Sequence, residues 1–95
     1  MSQPLKSAAE AADAFVAQMR SKAPCRVEVK VESRNGMPLL CAVETVLRQT
    51  LLRPGTTHEL VWLTGAPTSG GDVLRLQAFG QGNELLGKME CVIEA

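Results

Sequence analysis

The chain has 95 residues, with ten Lys+Arg against ten Asp+Glu and a formal net charge of zero. Interspersed charge offers no basic face for phosphates, and three aromatics (Phe15, Trp62 and Phe79) make no stacking platform, so no nucleic-acid partner is expected. Hydrophobic residues make up 45% of the chain, and no apolar run approaches the roughly 20 residues needed to cross a bilayer. These features fit one folded soluble domain, residues 1–95, with no membrane partner.

Residues 5–21 read as a helix. Ser7 stands three residues before Glu10, the spacing of a capping box, and Ala8, Ala11, Ala12, Phe15, Val16 and Met19 fall on one face. Lys22 and Pro24 end it. The pattern then changes period from 3.6 to 2, and residues 25–95 read as a β-rich unit. In residues 25–33, Cys25, Val27, Val29 and Val31 point one way; Arg26, Glu28, Lys30 and Glu32 point the other. Asn35-Gly36 is a strong short hairpin signal.

Residues 38–52 admit two readings. As a second helix, Leu39, Leu40, Val43, Val46 and Leu47 form one stripe, with Pro38 in the first turn and Pro54-Gly55 as the stop. As a strand, Leu39, Cys41, Val43, Thr45 and Leu47 alternate with polar residues. The preceding Asn-Gly tips the choice to strand. A turn at 53–56 leads to a strand at 57–64, a Gly/Pro/Ser-rich loop at 65–71, and a final hairpin of 72–79 and 85–94 across Gly80-Gln81-Gly82-Asn83.

Chemistry-bearing residues are sparse. Cys25, Cys41 and Cys91 lack the close pairing of a zinc site, even with His58 added, so no metal and no cofactor are expected. On the core side of their strands, Cys25 and Cys91 would act as small hydrophobes, or would pair if the first and last strands were neighbours. The one nucleophilic arrangement available is Cys41–His58 with Glu44 or Glu59. Glu28 and Glu32 have Lys30 between them, which reads as cross-strand charge pairing. The 65–71 loop leads into a strand and carries no Gly-Lys-Ser/Thr, so it reads as a connection rather than a phosphate cradle. Trp62, with apolar Leu60, Val61 and Leu63 beside it, reads either as core or as a binding anchor.

The stretch Leu51-Leu52-Arg53-Pro54-Gly55-Thr56-Thr57-His58-Glu59-Leu60 resembles the strand–Pro-Gly–strand segments of bacterial immunoglobulin-like sandwiches. The ending Val73–Phe79 to Leu86-Gly87 is similar to their closing hairpins and to the closing strands of C2 domains, whose calcium-binding aspartates have no counterpart here. These likenesses cover under half of the chain, contain no residue-specific motif and assign no family.

The expected architecture is therefore α+β: an N-terminal α-helix followed by an antiparallel β-sheet curled into a small sandwich or roll. The expected role is a non-catalytic protein-binding module (adaptor, inhibitor or assembly factor) in the cytoplasm. It would use a strand edge or apolar sheet face and bind a protein partner or a second copy of itself, with Trp62, Leu60, Leu86 and Val92 as contact residues. The alternative is a small ligand-binding or enzymatic protein with a pocket between helix and sheet, using Cys41 and His58.

Overall fold

Ser7 opens the first helix in extended backbone and accepts the Glu10 N–H on its Oγ at 3.1 Å. The structure, a computed structural model, describes residues 7–19, 22–64 and 71–93. Expectations that touch residues 5, 6, 20, 21, 65–70 and 94 lie outside them. Helix α1 runs Ala8–Gln18 and buries Ala8, Ala11, Ala12 and Phe15, with Met19 at its C-cap. Its alanines let it lie close along the second helix.

Strand β1 (Arg26–Glu32) keeps the alternation its sequence dictates: Val27, Val29 and Val31 are fully buried. Cys25 departs from that expectation and is exposed.

The segment after β1 is a helix, α2 (Met37–Thr50), not the strand its Asn-Gly suggested. A two-residue type I′ hairpin needs positive φ at both central residues. Gly36 has φ −83, and among the described residues only Gly55 and Asn83 have positive φ. The Asn-Gly turn therefore feeds a helix, with Pro38 in the first turn, where its missing N–H costs nothing. Leu40, Val43 and Leu47 are buried at helical spacing, followed by Leu51, whereas Cys41 and Thr45, which a strand would have turned inward, are exposed.

That helix decides the topology. It carries the chain back across the sheet, so β2 (Thr57–Leu63) pairs parallel with β1. Strand β3 (Asp72–Phe79) pairs antiparallel on the other side of β1, and β4 (Leu85–Ile93) antiparallel with β3. The sheet is mixed, in the order β2-β1-β3-β4, rather than antiparallel throughout. It is open, and no second sheet closes it among the described residues. The α+β class holds. The immunoglobulin-like likeness does not extend to Pro54-Gly55, which joins a helix to a strand.

Both helices cover one face. Phe15, Met19, Leu40, Val43 and Leu47 meet Val27, Val29, Val31, Leu74, Leu76 and Ala78 in a single core. Gly87 of β4 lets Met19 lie directly on the sheet: a Cβ there would stand 2.4 Å from Met19 Sδ, and the methionine would have to move. No helix among the described residues is long and apolar enough to cross a membrane.

Candidate functional site

The hydrogen-bond phase of β2 follows from two bonds at its ends. Thr57 donates to the Cys25 carbonyl at 3.0 Å, and Ser33 donates to the Leu63 carbonyl at 3.0 Å. In a parallel ladder, alternate residues direct both N–H and C=O to the neighbour. Thr57, Glu59, Val61 and Leu63 therefore bond β1, and His58, Leu60 and Trp62 aim their backbone groups at the free edge. The side chains of these three residues lie on the helix-covered face, in register with Val27, Val29 and Val31.

Helix α2 sits above β1 and β2 and fixes both ends of this strip. At the far end, Trp62 is half-buried and donates its Nε1–H to the Ser33 carbonyl at 2.9 Å. The indole presses against Gly36, where an added Cβ would lie 2.7 Å from Trp62 Cδ1. At the near end, His58 Nε2 meets Glu44 Oε2 at 2.8 Å, and Arg48 reaches the same oxygen at 3.3 Å. The His58 hydrogen bond, aided by the Arg48 charge, holds the Glu44 carboxyl below the ordinary carboxylate range despite the opposing effect of desolvation.

Apolar exposure concentrates here. Four large hydrophobics are exposed among the described residues; Leu60 (36%), Leu63 (43%) and Met37 (54%) belong to β2 or to the first turn of α2 above Trp62. Of the expected contact residues, Trp62 and Leu60 share this edge. Leu86 and Val92 belong to β4, at the opposite edge of the sheet, where Leu86 packs on the core and Val92 faces Val73 on the uncovered side of the sheet. Sequence reasoning did not single out Met37. Its signal was present, because a residue in the first turn of a helix that begins over an edge strand is left without cover.

The two edges of the sheet differ. β2 holds seven unbroken pairs with β1 and contains no proline or lysine. The β3–β4 ladder has a bulge at Ala78/Phe79, Lys88 stands on β4, and Lys22 Nζ occupies the Leu86 carbonyl at 2.8 Å. Natural edges are blunted with such features and with other charged side chains; β2 carries one such charge, Glu59, and no bulge or lysine among the described residues.

The uncovered sheet face is a grid of opposite charges. Arg75 bonds Glu90 at 2.9 Å and approaches Glu32 at 3.6 Å, which is the cross-strand pairing expected for Glu32. Glu28 pairs instead with Arg26, whose guanidinium lies 4.2 Å from the Phe79 ring centre.

Cys41 and His58 do not form a pocket. His58 is held by Glu44, and Cys41 is exposed on α2. A cavity of about 180 Å³ lies between the C-terminal ends of the two helices and the connections that follow them; it is lined by Val16, Met19, Lys22, Thr50, Arg53 and neighbouring residues, by no strand residue, and by neither Cys41 nor His58. No three His, Cys, Asp or Glu side chains cluster to hold a metal among the described residues. Cys25 and Cys91 are free thiols, and β3 separates their strands, which removes the premise for pairing them. Burial pushes the Cys91 thiol up from its ordinary value, with the Glu90 charge adding to it. No protein-family model, curated protein or solved structure matches this chain.

Proposed function

We propose that this chain is a small non-catalytic protein-binding module that takes an extended strand from its partner onto the free edge of β2. The observation that carries the reading is a coincidence at one place. The outward N–H and C=O groups of His58, Leu60 and Trp62 lie beside three of the four exposed large hydrophobics.

Magnitudes favour strand addition over a purely apolar contact. Fully burying one such side chain is worth about 1.5–3 kcal/mol. Association costs about 4–15 kcal/mol in lost freedom and ordering. Three side chains barely offset that cost, so main-chain bonds must supply part of the affinity. The Glu44–His58 contact and the Trp62–Ser33 bond support the reading further, because they fix the edge in position before a partner arrives.

The test is an NMR titration of the isotope-labelled chain with a heptapeptide of its own β2 sequence, Thr-His-Glu-Leu-Val-Trp-Leu. Amide shifts should centre on His58, Leu60 and Trp62 and vanish in Leu60→Pro. That proline removes an outward N–H and leaves the bonds to β1 intact. Shifts confined to the charged grid or the cavity, or none at the three amides of a chain that light scattering finds monomeric, would refute the reading.

A further inference from the structure

We propose that the strand added to β2 is the β2 of a second copy of this chain, antiparallel about a two-fold axis through Val61. The proposal rests on the strand-addition reading and goes beyond it by naming the occupant.

Charge selects the register. β2 has one carboxylate, Glu59, on the uncovered face with Val61 and Leu63. A two-fold axis at Glu59 would set the two carboxylates opposite each other, and one at Leu60 would place them on adjacent diagonal positions. An axis at Val61 separates them and sets each against the partner's Leu63. The same register places Leu60 across from the partner's Trp62, twice by symmetry. Both residues direct their backbone groups outward, so these are the pairs that exchange main-chain hydrogen bonds. Val61 then meets the partner's Val61 as a non-hydrogen-bonded pair. Leu60, Val61 and Trp62 each gain an apolar partner, and the two Glu59 carboxylates stay on the uncovered face.

The helices allow this approach. α2 lies over β1 and β2, whose axes are about 4.8 Å apart. Continuing the sheet through the two-fold axis puts the two α2 axes about 10 Å apart, the ordinary distance between packed helices. The Gly36–Trp62 contact starts α2 above Trp62, so Met37, 54% exposed in the single chain, is placed at the junction. The result is a continuous eight-stranded sheet with all helices on one face.

Two measurements decide the matter. Light scattering of the native chain at tens of micromolar should give twice the 10.2 kDa of one chain, falling to one chain in Leu60→Pro and in Leu60→Lys. Under mild oxidation Val61→Cys should form a covalent dimer at least tenfold faster than the native chain or Glu59→Cys, because only residue 61 is brought against itself. A single-chain mass at every concentration overturns the proposal. So does a dimer indifferent to both Leu60 variants, one that cross-links at residue 59 in preference to 61, or one that cross-links at neither. The heptapeptide titration separates the two levels: a monomer whose His58, Leu60 and Trp62 amides still respond to peptide keeps the strand-accepting edge and loses the self-pairing.

Discussion

Trp62 combines two jobs at one position. Its ring closes the core over Gly36, and its Nε1–H satisfies the carbonyl of Ser33, a residue only 2% exposed. Trp62→Phe keeps most of the apolar area and strands that carbonyl, so it should cost about 1–3 kcal/mol in urea denaturation. Glu44 makes a prediction in pH. Its folded-state pKa lies below its unfolded value, so on acidification the unfolded chain takes up the proton first. The stability Glu44 contributes is complete above the ordinary carboxylate range and is lost as pH falls through that range and below it. Glu44→Gln should therefore flatten the acid limb of a plot of urea midpoint against pH, while an unchanged limb would rule out this contribution. At this scale the sequence was informative about identity and silent about partners. Trp62, Leu60, Glu44 and His58 could all be picked out as notable, and Glu44 was among the partners offered for His58, yet nothing in their spacing chose Glu44 over Glu59 or kept Cys41 away from the pair.

Among the elements, β1 was legible because its period-2 alternation is unbroken and burial follows it, and the closing hairpin because alternation holds over Leu74–Phe79 and Gly80 and Gly82 mark the reversal. Ser7 was legible because a cap is a local interaction. Residues 38–52 were not, because their apolar positions satisfy both periods over several residues. A dipeptide rule outweighed the stripe, although the backbone at Gly36 does not take the conformation on which that rule depends. The two readings bury different residues and can be separated by mutation. Leu40→Ala should cost about 2–5 kcal/mol as a cavity in the core. Cys41→Ala should stay within about 0.5 kcal/mol, as for other exposed positions. Equal costs measured by chemical denaturation would contradict the helix. The parallel pairing of β2 was hidden for the same reason: a strand at 38–52 gives a meander, and only a helix there returns β2 parallel to β1.

As a whole the molecule has one core shared by both helices and all three inner-facing sheet positions of β1 and β3. A chain of 95 residues holds on the order of 5–14 kcal/mol in total. Phe15 is fully buried at the centre of the α1 face, and Phe15→Ala should remove about 3–5 kcal/mol. Circular dichroism and tryptophan fluorescence should report one coincident transition for it, because α1 cannot detach without opening the core that seats β1. Loss of α1 signal ahead of the Trp62 signal would show instead that the N-terminal helix is an independent unit.

The bulge at Ala78/Phe79 and the Lys22 bond to Leu86 leave the sheet growable from one side only. A protein with two such sides would add copies head to tail without limit and form fibres. If β2 pairs as proposed, the stacking of copies ends after a single step and the particle is finite. Straightening β4 and freeing its Leu86 carbonyl would give the proposed assembly a second pairing edge.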